Sequence, residues 1–170
     1  MSRIEIAELE DAELRSVLGT GGTGVLSFST EGDEPPRTIP VSYGYDPLES
    51  TFYFRLATSP NHPPNTLDGH AVSFVAYDTD DPDDAAIDGK SENGTNDKSG
   101  TNDRWWSVVA KGRFEDIERE SIGTDALAGL ERVEIPLIDI FGTHPREIDF
   151  AFCRLEPTSL TGRRESSTTL

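Results

Sequence analysis

From residue 23 the apolar side chains of this chain recur at every second position, in runs joined by very short connections. Residues 23–30, 37–45, 51–57 and 71–77 are rich in β-branched and aromatic residues. Between them stand Glu31-Gly32-Asp33-Glu34-Pro35-Pro36, then Asp46-Pro47-Leu48-Glu49-Ser50, then a longer proline-rich loop. A period of two marks a strand with one buried face. Connections this short return a strand beside its predecessor, because a parallel neighbour needs a crossover of about a dozen residues or more. A long run at 105–117 and a last one at 148–158, where Ile148, Phe150 and Phe152 alternate, bring the expected strands to six. Residues 7–18 have a helical period, with Leu14, Val17 and Leu18 on one stripe and Gly19 placed for a left-handed cap. Residues 121–133 read as a second helix with Leu127 and Leu130 inward, and 136–141 as a helical turn or apolar connection. With no βαβ rhythm, the expected class is mainly β (α+β): a six-stranded antiparallel barrel, closed or half closed so that few edges stay exposed, with flanking helices. A length of 170 residues suits a single domain over 1–170.

Composition narrows the partners. Asp and Glu outnumber Lys and Arg by 32 to 15, a formal charge of −17. Residues 78–103 carry nine acids against Lys90 and Lys98, and Ile87 is their one sizeable aliphatic. So little apolar surface cannot offset the ordering entropy, and the segment reads as an acidic, disordered insertion. The other acids are spread along the chain, and the cations are twelve arginines and three lysines. This resembles a halophile's surface, where dense carboxylates hold water and cations at high salt and repel one another once screening is removed. A field of this sign argues against nucleic acid and anionic membranes as partners. A single cysteine, Cys153, excludes an internal disulfide and suits a reducing interior. The first residues hold no apolar signal core and no run is long enough to cross a bilayer, so the expected location is cytoplasmic.

Local motifs exclude more than they assign. Gly19-Thr20-Gly21-Gly22-Thr23-Gly24 satisfies G-x-G-x-x-G, but it follows a helix and precedes a strand, the reverse of a dinucleotide fingerprint, and reads as a helix cap and loop. No acidic window has calcium-loop spacing. Asn93-Gly94-Thr95 matches a glycosylation acceptor by chance composition. His62, His70 and His144 are too scattered for a sequence-local metal cluster. No G-x-S-x-G elbow is present, and Cys153 lies in an apolar strand, where a thiol behaves as a small hydrophobe. Neither a catalytic side chain nor a metal site is named by the sequence.

The chemistry is distributed over strands instead. Arg37-Thr38-Ile39-Pro40-Val41-Ser42-Tyr43 holds a proline inside a strand, which calls for an edge or a bulge where backbone groups are free for a ligand. Phe52-Tyr53-Phe54-Arg55-Leu56-Ala57-Thr58 leads into Ser59-Pro60-Asn61-His62, and Trp105-Trp106-Ser107-Val108-Val109-Ala110-Lys111-Gly112 opens the long strand. In this order, after a helix and a Gly-Val-Leu-Ser-Phe strand, these segments resemble the pyridoxamine 5'-phosphate oxidase-like, FMN-binding split-barrel family over nearly the whole chain. The resemblance implies FMN held at a homodimer interface, two sites per symmetric dimer, and oxidoreductase chemistry on a small molecule. It also implies that Ile39, Pro40, Val41 and Ser42 run along the flavin ring. Arg55, Ala57 and Thr58 would meet the ribityl and phosphate groups, with Arg37 as a second cation, and Trp106 and Ser107 would close the far side. A phosphate dianion in so acidic a protein needs a local cation of fork geometry, which Arg55 supplies. Relatives often carry Gly-x-Lys after the third strand; here Pro60-Asn61-His62 stands in its place, leaving Asn61 and His62 as the nearest polar groups. The alternative is a protein that binds flavin, deazaflavin or haem on the same barrel without turnover.

Overall fold

The computed structural model describes residues 4–57, 68–80, 104–117, 128–129, 131–135 and 150–167. Among the described residues the elements follow in the order β1 (Ile4–Glu8), α1 (Asp11–Leu18), β2 (Gly21–Phe28), β3 (Arg37–Asp46), β4 (Thr51–Ala57), β5 (Ala71–Asp80), β6 (Arg104–Ile117) and β7 (Phe150–Ser167). The sheet runs β1-β7-β4-β3-β2-β5-β6, every pair antiparallel, and β6 returns to pair with β7. Six strands thus close a barrel and β1 lies outside the ring as an addition to β7. This is the mainly β, antiparallel barrel that the alternation predicts.

The period of two sorts each strand into an inner and an outer face. Leu26 and Phe28, Tyr43 and Tyr45, Phe52 and Phe54, Phe74, Val108 and Phe114 all point inward and are buried. Their rings meet in stacked, tilted and edge-to-face pairs, as in Phe54 and Phe74, 5.0 Å apart at 71°, arrangements that add to the area they remove from water. Helix α1 closes one end with Leu14 and Leu18. The Glu10 amide donates to Glu13 Oε2 at 3.0 Å to start it, and Gly19, at φ +56°, stops it with its amide on the Arg15 carbonyl. The glycines after it permit close packing: a Cβ on Gly24 would lie 2.5 Å from the Val75 carbonyl oxygen and 2.6 Å from the Phe74 ring. The G-x-G-x-x-G match therefore belongs to a cap and a tightly packed strand.

Both ends of the chain differ from the sequence expectation. The expected helix over 7–18 begins only at Asp11, and Ile4–Glu8 is a strand. It pairs with residues 163–167 of β7, which extends well past the expected end at Thr158. Pro157 lies inside the strand, where a bulge accommodates it. Gly112 faces Pro157 while Lys111 faces Ser159, so Thr158 is the extra residue, its hydroxyl donating to the Lys111 carbonyl at 3.2 Å. The bulge also switches the buried parity, from Cys153 and Leu155 before it to Gly162 after it. Strand β5 likewise runs to Asp80, with Asp78, Thr79 and Asp80 opposite Trp106, Trp105 and Arg104. The first three residues assigned to the acidic insertion are thus strand, and 81–103 lie outside the described residues. Of the expected second helix over 121–133, 128–129 and 131–132 are helical, Val133 is not, and 121–127 and 130 lie outside the described residues, as does 136–141.

Candidate functional site at the parting of strands three and four

Strands β3 and β4 are hydrogen-bonded neighbours for half of their length only. Asp46 faces Thr51, Tyr45 faces Phe52, Gly44 faces Tyr53 and Tyr43 faces Phe54; there the pairing stops. Beyond that point Arg37–Ser42 stays on β2, while Arg55, Leu56 and Ala57 stay on β7 opposite Phe152, Ala151 and Phe150. The barrel is therefore split, and two strand edges face an opening. Pro40 sits on the part of β3 whose one neighbour is β2, where a residue without an amide proton costs no ladder bond on the open side. The edge expected from that proline is present.

The closed half of the seam is covered from outside by residues 128–129 and 131–135. Val133 and Ile135 pack over Gly44, and Gly129 sits against the Tyr53 ring, where a Cβ would overlap it. Arg132 holds the fully buried Asp46 through Nε at 3.1 Å and through Nη2, and the Leu48 amide donates to the other carboxylate oxygen at 3.0 Å. Burial pushes the Asp46 carboxyl up, but the hydrogen bonds from Arg132 and from the backbone outweigh it and hold the group below its ordinary value.

At the open half the cations are held differently. The Arg55 guanidinium lies 4.4 Å from the centre of the Phe150 ring, and Arg37 lies 5.7 Å from that of Phe28. Among the described residues neither is in an ion pair, whereas Arg132, Arg154 and Arg164 pair with Asp46, Glu115 and Glu13. Burial draws the Arg55 guanidinium below its ordinary value, yet an arginine remains charged at neutral pH. Aromatic faces can orient a cation while leaving its donors free. At the open half Arg55 stands on the outer face beside the buried Ser42, whereas Arg37, five residues further along β3, lies on the inner side with Ile39 and Val41. A ring-held arginine with no ion pair among the described residues keeps its donors available for an anion.

Not every expected residue is brought there. Arg37, Ile39, Pro40, Val41 and Ser42 line one lip, Arg55 and Ala57 the other. Ile39 and Val41 turn inward against the core, and Pro40 is exposed. Thr58, Asn61 and His62 lie outside the described residues. Trp106 is buried in the barrel core, and Ser107 stands on the outer face of β6, separated from the split by β7 on one side and by β2 and β5 on the other. The chain by itself does not bring Ser107 to the split. Ser107 lines instead a groove of about 370 Å³ with Val109, Lys111, Ser159, Thr161 and Arg163. Sequence reading missed that groove: Ser107, Val109 and Lys111 alternate visibly, but their partners lie on the part of β7 beyond Thr158. It also missed the rings under the arginines, since Phe150 was legible only as one of an apolar face.

A larger open cavity of about 1000 Å³ lies over Ser27, Ala71, Lys111, Arg113 and Thr158. Several of its charges are held within the protein: Arg113 donates to the Gly69 carbonyl at 2.8 Å, Asp68 accepts from the Asp116 amide at 3.0 Å, and Arg154 binds Glu115 in a fork. Cys153 faces the core, where burial first, then Asp116 and Asp68, push its thiol up to about 12, so it remains protonated and is no nucleophile at neutral pH. Among the described residues no group of His, Cys, Asp and Glu could hold a metal ion, and no helix is long and apolar enough to cross a membrane.

A closed antiparallel ring with one seam half unzipped defines a split barrel. The chain belongs to the pyridoxamine 5'-phosphate oxidase family, whose model matches residues 10–164. No curated protein matches it in sequence. Among solved structures it is similar to an FAD-binding protein from Mycobacterium smegmatis, with 19% identity, TM-score 0.59, and 93% of this chain and 98% of that one covered. An FAD-binding protein from Mesorhizobium loti aligns with 16% identity and TM-score 0.53, covering 96% and 99%. A heme-binding protein from Mycobacterium smegmatis aligns with 16% identity and TM-score 0.53, covering 96% of this chain and 59% of that one. At such identities the likeness is one of fold.

Proposed function

We propose that this protein binds FMN in the split between β3 and β4 and acts as a flavin-dependent oxidoreductase on a small molecule, as a homodimer with two sites. The observation that carries this reading is Arg55, held on a ring at the edge where β3 and β4 part, with Arg37 further along β3 as a second cation. In a chain of net charge −17, Arg55 and Arg37 rest on aromatic rings and, among the described residues, make no ion pair. Cations without an ion pair among the described residues, amid so many carboxylates, have a use if a phosphate dianion is to be bound. The flavin-binding relatives of the same fold support the choice of ligand.

In this reading Arg55 grips the phosphate, Arg37 adds positive field, and Ala57 and Thr58 leave room for backbone amides to approach it. The free edge at Ile39, Pro40 and Val41 offers backbone groups to the ring, with the Ser42 hydroxyl at its polar rim. Asn61 and His62 supply neutral hydrogen bonds in place of the relatives' lysine. Bound FMN supplies hydride or electron transfer, while the protein positions it and excludes water from one face. Because Ser107 is remote from the split within one protomer, its part in the site requires a second copy, whose β6 would lie across the opening as in a two-fold dimer. Trp106, buried behind Ser107, fixes that strand.

The heme-binding relative keeps a second reading open in chemical terms: the same opening could carry haem or a deazaflavin without turnover. The visible spectrum of the purified protein and the mass of the chromophore released on denaturation decide between them. FMN release, with reduction by a nicotinamide donor and reoxidation on catalytic timescales, supports the oxidoreductase. A colourless protein that takes up no added FMN overturns the flavin reading.

A further inference from the structure

Away from the split, the outer face of β6 and β7 carries a second concentration of anion-binding groups. Opposite one another across the two strands stand Ser107 and Arg163, Val109 and Thr161, and Lys111 and Ser159. These six residues are the described lining of the 370 Å³ groove. No carboxylate is among them, although the chain has 32. Lys111 and Arg163 occupy opposite corners, four residues apart along the strand direction, or about 13 Å between backbones. Both have long, flexible side chains, so they can converge over the floor formed by Val109 and Thr161, with a hydroxyl beside each cation. Glu8 is the register neighbour of Arg163 on β1, yet among the described residues neither Arg163 nor Lys111 forms an ion pair. The bulge at Thr158 builds this face, because it switches which residues of β7 point outward and so sets Ser159, Thr161 and Arg163 beside β6.

We infer that this groove binds a phosphate group, with Lys111 and Arg163 as the cations and Ser107, Ser159 and Thr161 as neutral donors. Charge selection is the physical reason. The summed field of the chain repels phosphate, so a groove whose described lining holds two cations, three hydroxyls and no carboxylate is a place where a local field of opposite sign can overcome it. The inference does not depend on flavin binding at the split. The phosphate belongs either to a free anion or phosphorylated substrate, or to a phosphorylated cofactor reaching the groove from a second copy.

The test is a titration of the full chain with inorganic phosphate in low-chloride buffer, followed by ³¹P NMR, for the wild type, Lys111→Gln, Arg163→Gln and the distant control Arg15→Gln. All three positions are exposed, so the fold should persist; circular dichroism checks it. Saturable binding is expected, weakened about tenfold in Lys111→Gln and in Arg163→Gln, as for loss of one charge-assisted contact, and unchanged in Arg15→Gln. Absence of saturable wild-type binding, wild-type affinity in either groove variant, or an equal loss in Arg15→Gln would overturn the assignment. Repeating the titration with FMN and with riboflavin separates the sources. Displacement of phosphate by FMN but not by riboflavin places a cofactor's phosphate in the groove, while phosphate binding that survives FMN loading places a free phosphate or a phosphorylated substrate there.

Discussion

One seam of this barrel, between β3 and β4, is built in two opposite ways. Its closed half joins Tyr43–Asp46 to Thr51–Phe54 by ladder pairing, buries Phe52 and Phe54 completely and ties Asp46 to Arg132. Its open half gives up the ladder at Ser42 and Arg55, places Pro40 on the free edge and rests Arg37 and Arg55 on rings. The two halves share strands, handedness and neighbours, so the side chains make the difference. Aromatic residues and a neutralised acid complete the core in one half, whereas in the other a proline and two cations leave polar groups available. Stability and ligand binding are thereby separated along a single pair of strands, and substitutions should tell the halves apart.

The largest effect is expected in the closed half. Phe54→Ala removes a fully buried ring that contacts Phe52, Phe74 and Phe114 and should cost about 3–5 kcal/mol in urea unfolding. Next comes the Asp46 latch. The folded-state pKa of Asp46 lies below its ordinary value, so the stability it contributes is present above about pH 4 and is lost as pH falls through the lowered value. Asp46→Asn should lower the melting temperature at pH 7 and flatten that part of the acid limb. An unchanged limb would show that Arg132 adds no pH-dependent stability.

The open half should respond in binding and hardly in stability. Arg55→Gln is expected to weaken FMN by about 10–100-fold while moving unfolding by no more than about 0.5 kcal/mol. If it unfolds the protein instead, the contrast between the halves fails. The smallest effect belongs to Pro40→Val, expected within about 0.5 kcal/mol of the wild type because no ladder bond on the open side depends on residue 40. A loss comparable to that of Phe54→Ala would mean that this edge is packed rather than free. Salt tests the acidic surface as a whole. With a net charge of −17, secondary structure and dimer mass should hold in molar salt and decline on dialysis into dilute buffer, and indifference to salt would remove the halophilic reading.

What was legible in the sequence follows the range of the physics involved. The alternation in 37–45 and 51–57 places strands β3 and β4 because it is local, and Pro40 announces a free edge because a missing amide proton is a property of one residue. Strand β1 escaped notice: its pairing depends on β7 continuing beyond Pro157, and that depends on a bulge at Thr158 which its side chain does not signal. The grouping of Arg55 with Phe150 and of Ser107 with Arg163 was hidden for the same reason. Each pair meets across strands distant in sequence, at a register that only the closed barrel fixes.

The most direct measurement compares the affinities of FMN and riboflavin, which differ by the phosphate, for the wild type and for Arg55→Gln by flavin fluorescence quenching. If the open half of the seam is the flavin site, the wild type will prefer FMN over riboflavin by a wide margin, and Arg55→Gln will remove most of that margin while leaving riboflavin affinity nearly unchanged. A wild type that binds neither flavin, or a variant that keeps the full preference, would contradict the assignment of the split as the site.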